Sequence, residues 1–177
     1  MQNAGETHAD RMQRIRRHYR EAHDRLVARL RGAQEDALQR PPADGGWSAA
    51  QIGWHVAAVD GLFAGLVSGA IPGAKELEPG AAVRPWQEIA AGIPDKLDAN
   101  KRVQPPPAVP RDQLLEALEA AADRMDAALA SLSEERGARF ALAHPVIGIV
   151  PLAHVGEWAT AHVIRHNRQA KQVLGQT

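Results

Sequence analysis

Apolar residues recur at intervals of three and four along four long segments of this chain, and this periodicity constrains its fold more than any other feature. Such spacing is typical of amphipathic helices that bury one face. The segments cover residues 10–38, 48–69, 111–132 and 151–174. Strand-favouring runs of Val, Ile, Thr and Tyr are almost absent. The sequence therefore predicts an all-α fold in which four long helices form a four-helix bundle.

The connections between the predicted helices differ strongly in length. A short link, "QRPPADGG" at 39–46, joins the first two helices and predicts antiparallel neighbours. The stretch from Gly69 to Pro110 is rich in Gly and Pro, with a short helix predicted around Trp86 to Leu97. So long an irregular connection usually covers a site or crosses the fold, and we expect both here, with a long crossover between helices 2 and 3. "HPVIGIVP" at 144–151 is interpreted as a turn that leads into the last helix.

Composition excludes several classes of function. The length of 177 residues suits a single domain, taken as residues 1–177. Lys and Arg number 21 and Asp and Glu number 21, so no net charge attracts nucleic acid or an anionic membrane surface. There is no cysteine, so a metal must be held by nitrogen and oxygen and no cysteine nucleophile exists. No signal peptide or membrane-spanning run is evident, and we expect a cytoplasmic protein.

Three histidines occupy positions where the helical pattern calls for apolar residues: His55 in the second helix, and His162 and His166 in the fourth. A buried imidazole without partners costs about 1–3 kcal/mol. An H-x-x-x-H pair alone is weak evidence. If the two helices run antiparallel, however, all three rings lie roughly 10–18 Å from the same end of the bundle. A divalent ion bound by three neutral imidazoles would satisfy them and leave a position for water or substrate. The alternative is that they are core histidines bonded to backbone or to each other.

The remaining histidines have weaker signals. His154 lies eight residues before His162, and His144 precedes Pro145 in the loop that enters the last helix, so either could line the mouth of a pocket. His18 and His23 fall beside the apolar stripe of the first helix and are interpreted as surface or rim residues.

Two segments carry a resemblance to a known family. "WSAAQIGWHVA" and "HPVIGIVPLAHVGEWATAHVIRHNRQ" resemble the opening and closing signatures of the DinB-like metalloprotein superfamily, in order and spacing. The resemblance implies an up-down-down-up bundle, often a homodimer, in which His55, His162 and His166 bind Zn, Ni or another divalent metal. Gln169 matches the trailing Gln of the family, where it either hydrogen-bonds behind His166 or simply packs near the helix end.

The same resemblance implies an activity. Relatives include thiol-dependent S-transferases and a maleylpyruvate isomerase, which use low-molecular-weight thiols such as bacillithiol, mycothiol or glutathione. The leading hypothesis is therefore a metal-dependent transferase acting on a small-molecule substrate, in which the metal activates the thiol of a cosubstrate. Arg165, Arg168 and Arg84 are candidates to bind its anionic groups.

Two rival hypotheses use the same histidines differently. Hydrolysis would keep water on the metal, with His154 or His144 as a proton shuttle. It ranks lower because Glu157 and Asp60 are out of phase, which leaves no inward carboxylate as a general base. The third hypothesis is a non-catalytic bundle that binds a metal or a partner through a closed site.

Overall fold

The computed structural model describes residues 6–43, 45–78, 80–94 and 99–176, which form seven helices and three short strands. Along the chain the elements are α1 (His8–Gly32), α2 (Glu35–Gln39), α3 (Ala49–Ser68), β1 (Lys75–Glu76), α4 (Trp86–Ala91), α5 (Arg111–Ser131), α6 (Glu134–Arg139), β2 (Phe140–His144), β3 (Gly148–Pro151) and α7 (Val155–Val173). The described structure is mostly helical, and its four long helices are those that the periodicity predicts.

Two predicted helix ends differ from the structure. The first helix ends at Gly32 rather than Leu38, because Ala33 leaves helical geometry (φ −72°, ψ 147°) and α2 begins afresh at Glu35. The short helix predicted around Trp86 to Leu97 is present as α4, which ends at Ala91. The last part of that prediction, residues 95–97, lies outside the described residues.

The long helices pack around a shared core. Both α1 and α3 pack against α5 and α7, whereas α1 and α3 have little contact with each other and lie on a diagonal. The prediction that the first two helices are neighbours is therefore wrong. The link of residues 33–48 includes α2 and is long enough to carry the chain across the end of the bundle. Because α3 and α7 are in contact, residues on their inward faces can meet.

Helix α3 is the most buried of the four. Ser48 caps it, accepting a hydrogen bond from the backbone of Gln51 while the Gln51 side chain accepts one from the backbone N–H of Ser48. This helix is long and apolar enough to cross a membrane, but most of it is buried inside the bundle, as in the core helix of a folded domain.

A small antiparallel sheet, in the order β1-β2-β3, corrects the purely helical expectation. The segment read as a turn before the last helix contains β3, which pairs with β2 through Leu142 and Val150 and through His144 and Gly148. Gly148 closes the hairpin with a φ of 88°, a left-handed conformation that favours glycine. The Val and Ile residues of this segment favour a strand, whereas the prolines that flank them are typical of turns.

Close packing of α7 against its neighbours requires glycine at position 156. A Cβ atom there would lie 2.5 Å from Cγ2 of Ile15 and 3.0 Å from Cδ2 of Leu129. We expect Gly156→Ala to lower the free energy of unfolding by about 1–3 kcal/mol through overpacking, measured by urea denaturation. Gly32→Ala is the matched control, since a Cβ at Gly32 meets nothing within 4 Å and alanine favours the helix by up to about 1 kcal/mol. Equal effects of the two substitutions would contradict this.

Candidate metal centre

The three inward histidines meet in the folded chain. His55 comes from α3, and His162 and His166 come from successive turns of α7. One ring nitrogen from each lies within 4.8 Å of the other two. The ring centroids are 5.2 Å apart for His55 and His162, 4.9 Å for His55 and His166, and 4.4 Å for His162 and His166. Residues 107 positions apart therefore form one cluster.

Hydrogen bonding fixes the orientation of His55. Its Nδ1 lies 2.7 Å from the carbonyl oxygen of Val103, so Nδ1 carries the proton and donates. The Nε2 atom of the neutral ring then carries a lone pair, and it lies 3.3 Å from Nε2 of His162. The Trp47 ring packs against the same imidazole at 4.9 Å between centroids.

His166 has a comparable arrangement. Its Nδ1 lies 2.9 Å from the amide oxygen of Gln169, one turn further along α7, so the ring donates from Nδ1. A histidine whose distal nitrogen is held in this way presents Nε2 as a metal ligand. Gln169 therefore contacts the cluster through His166.

Burial keeps these imidazoles neutral at pH 7. It lowers the pKa of His166 to about 4, with a further contribution from His55. Burial and the neighbouring His166 and His55 lower the pKa of His162 well below its usual value. Burial also lowers the pKa of His55, partly opposed by the hydrogen bond to Val103. Neutral rings have the lone pairs that a metal ion needs.

The separation of the ligand nitrogens of His55 and His162 fits a shared metal ion. Tetrahedral zinc with bonds of about 2.0–2.1 Å to nitrogen separates two ligand nitrogens by about 3.3–3.4 Å, and the Nε2 atoms of His55 and His162 are 3.3 Å apart. The alternative, histidines bonded to each other, explains this one contact. It leaves Nε2 of His166 without a hydrogen bond among the described residues. Nδ1 of His162 is buried and unpartnered among those residues in either case.

The cluster lies in the wall of a cavity of about 920 Å³. Most of the walls are apolar and include Phe63, Trp158 and Ile147, while Arg102 and Arg165 supply positive charge. Residues of the long connection, among them Ile93, Ala99 and Val103, form one side. The long connection therefore lines the cavity that contains the three histidines, in agreement with the expectation that it covers a site. No Asp or Glu is among the described residues that line the cavity.

The two histidines predicted at the pocket mouth lie in different parts of the structure. His144 lines the cavity and packs edge-on against Trp158, with ring centroids 5.6 Å apart. His154 is not in the cavity wall, which corrects that prediction. It is buried, and its Nδ1 lies 2.8 Å from both Glu157 and Arg11, because the short 3-10 turn Leu152–His154 directs it toward α1.

Two side chains read as lying outside the core are buried. Asp60 is fully buried on α3, where it accepts a hydrogen bond from the Tyr19 hydroxyl at 2.7 Å. It faces α1 and is not among the residues that line the cavity, so it is not a general base for that site. His23 is 2% exposed because α5 covers a wider face of α1 than one stripe, and burial lowers its pKa to about 4. His18 is exposed.

Of the three arginines predicted to bind anionic groups, one lines the cavity. Arg165 lines the cavity, whereas Arg84 donates to the carbonyl of Ile147 and Arg168 is exposed outside the cavity wall. Sequence reasoning missed Arg102 and the carbonyl of Val103. Every residue type has a backbone carbonyl, so the sequence does not indicate which one accepts a hydrogen bond. Arg102 lies in a stretch without periodicity.

Comparisons with known proteins identify a matching family and a similar fold. The model of the DinB superfamily matches residues 18–170. A solved structure of YfiT from Bacillus subtilis is similar, with a TM-score of 0.56 and 20% identity over 94% of this chain and 89% of that chain. YfiT is described as "a probable metal-dependent hydrolase with an unusual four-helix bundle topology". At this identity the likeness concerns the fold. No curated protein matches the sequence.

Proposed function

This chain belongs to the DinB superfamily, and on that premise we propose that it is a metal-dependent transferase that joins a low-molecular-weight thiol to a small electrophile. One observation carries the proposal: three neutral imidazoles converge in the wall of a largely apolar cavity of about 920 Å³ that Arg102 and Arg165 also line. A closed structural metal site would need no such cavity.

His55, His162 and His166 would hold the ion, and zinc or nickel suits three imidazole ligands. When bound, the ion supplies an open position at which a thiol loses its proton at neutral pH. Val103 and Gln169 orient two of the imidazoles by accepting hydrogen bonds from their Nδ1–H groups. The chain itself contains no cysteine, so the sulfur belongs to a cosubstrate.

The cavity suits a thiol cosubstrate better than water as the nucleophile. Arg102 and Arg165 line the cavity and give it positive charge that would favour the carboxylates of a thiol, and Phe63 and Trp158 offer apolar surface to the electrophile. Activation of water usually requires a general base. None of the described lining residues is a carboxylate that could serve as one.

The test is a conjugation assay on zinc-loaded and nickel-loaded protein with bacillithiol, mycothiol or glutathione and monochlorobimane. We expect one thiol to react well above the uncatalysed rate, and chelation of the metal to abolish the difference. The same rate with and without protein for every thiol would contradict the transferase.

A metal-dependent hydrolase is the second candidate, because that is how the similar YfiT structure is described. Turnover of ester or amide substrates by zinc-loaded protein, together with no reaction of any thiol, would favour it. Stoichiometric metal without either activity would favour a non-catalytic metal-binding bundle.

Gln169 offers a test of the metal site that does not depend on turnover. Removing a hydrogen-bond partner behind a metal-binding histidine typically costs 10–100-fold in affinity. We therefore expect Gln169→Ala to weaken zinc binding by about 10- to 100-fold, and Gln169→Glu, which keeps an acceptor, to restore most of it. Competition with a chromophoric chelator measures the affinity. Gln172→Ala, at an exposed position of α7, is the control, and equal affinities for the Gln169 and Gln172 variants would contradict this orienting role.

The proposal includes the finer structural and cellular properties. We infer an up-down-down-up order of the four long helices in a single domain, a homodimer, and a cytoplasmic protein whose partners are small molecules rather than nucleic acid or membrane. Light scattering coupled to size-exclusion chromatography tests the homodimer, and a monomeric mass at micromolar concentration would contradict it.

A further inference from the structure

His144 is held in one tautomer by the backbone of its own hairpin. Its Nδ1 accepts hydrogen bonds from the backbone N–H groups of Val146 and Ile147, each at 3.2 Å. Two N–H donors aimed at one nitrogen leave no room for a proton on it. The proton of the neutral ring is therefore on Nε2.

The opposite nitrogen is available to a ligand. Nε2 of His144 has no hydrogen bond to any of the described residues. It is also not one of the fully buried polar atoms that lack a partner among those residues. His144 lines the same cavity as the three clustered imidazoles. Trp158 packs against the ring and fixes its plane. His144 thus brings an N–H group without a partner among the described residues to a largely apolar cavity, where a hydrogen bond to a ligand is strong.

We propose that His144 is a neutral hydrogen-bond donor that recognises a carbonyl or carboxylate oxygen of the ligand in this cavity. The inference rests on the proposed function, since it assigns a second contact to the ligand that the metal site takes. It also excludes the role of proton shuttle, because that role needs Nδ1 or Nε2 to accept a proton. Protonation at Nδ1 would break two hydrogen bonds, and burial also lowers the pKa of His144.

Two substitutions separate the functions of the two ring nitrogens. Asparagine at position 144 keeps an acceptor for the N–H groups of Val146 and Ile147 but places no donor at the Nε2 position. Glutamine reaches further and places an amide N–H near the Nε2 position, while it loses the local acceptor. A role in ligand recognition and a role in anchoring the hairpin therefore predict opposite orders of the variants.

The probe is benzoate, whose ring suits the apolar walls and whose carboxylate is an acceptor. We expect His144→Asn to weaken benzoate binding by about 10- to 100-fold and His144→Gln to stay within about 3-fold of the wild type, measured by calorimetry with and without bound zinc. The reverse order would show that His144 only anchors the hairpin. Equal loss in both variants, wild-type affinity in both, or no benzoate binding by the wild type would also contradict the proposal.

Two further measurements keep this inference separate from the metal function. Zinc content of the same samples tests the metal site, so a wild type that holds zinc but shows the reverse order refutes only the role of His144. Long-range ¹H–¹⁵N correlation of metal-free protein at pH 7 should place the proton of His144 on Nε2, with exposed His18 as the internal reference. A proton on Nδ1 would overturn the proposal.

Discussion

Replacing His162 with alanine is expected to lower the affinity for zinc by more than about 100-fold, which exceeds the usual cost of losing an outer partner. The Nε2 atom of His162 lies 3.3 Å from that of His55, and no other described histidine, carboxylate or cysteine joins the three-residue cluster. The two remaining imidazoles are too few protein ligands to hold zinc stably.

Metal analysis and thermal unfolding measure the effect. When purified without a nickel column, the wild-type protein should contain stoichiometric metal. The His162→Ala variant should contain almost none. A ligand at 1,000 times its dissociation constant stabilises the folded state by about 4 kcal/mol, so added zinc should raise the unfolding temperature of the wild type alone. His18→Ala, on the exposed face of α1, is the control and should behave as wild type. Full metal content in His162→Ala would remove the basis of every metal-dependent hypothesis.

The sequence predicted this cluster because helical phase is a local property that survives folding. Periodicity places His55, His162 and His166 on inward faces, and the prediction that they meet also needs their two helices to be antiparallel neighbours. The orienting partners differ in this respect. Gln169 follows His166 by one helical turn and could be anticipated from spacing, whereas the carbonyl of Val103 reaches His55 from a connection without periodicity.

The errors have a common physical origin. Periodicity gives one inward direction per helix, but a helix packed between two neighbours buries more than one stripe. His23 and Asp60 were therefore placed outside the core although both are buried. The hairpin was missed for a different reason, since its short strands gain their stability from pairing and from the packing of Ile147 and Val150 on Ile89, which lies about sixty residues earlier in the chain.

The buried pair of Tyr19 and Asp60 should make stability depend on pH in a direction that a single variant can isolate. Burial raises the pKa of Asp60 to about 7, although the hydrogen bond from Tyr19 lowers it in part. The folded protein therefore binds this proton more tightly than the unfolded chain, whose carboxyl titrates near 3.8. The contribution of Asp60 is complete below pH of about 4 and is lost as the pH rises through about 7.

Asparagine at position 60 cannot ionise, so Asp60→Asn lacks this dependence. About three pKa units at roughly 1.36 kcal/mol each amount to about 4 kcal/mol. We expect the free energy of unfolding of Asp60→Asn, relative to the wild type, to improve by about this amount between pH 4 and pH 8. The difference between the two proteins is needed because His23 and His166, whose pKa values are lowered, add stability as the pH rises over the same range.

Urea denaturation of metal-free protein at intervals of pH gives both curves. Tyr19→Phe is the matched variant, since it keeps the carboxyl but removes the donor that favours its charged form. It should move the loss of stability to a higher pH than in the wild type. Parallel curves for Asp60→Asn and the wild type would contradict the assignment, because a buried carboxyl with an ordinary pKa would add no slope between pH 5 and 8.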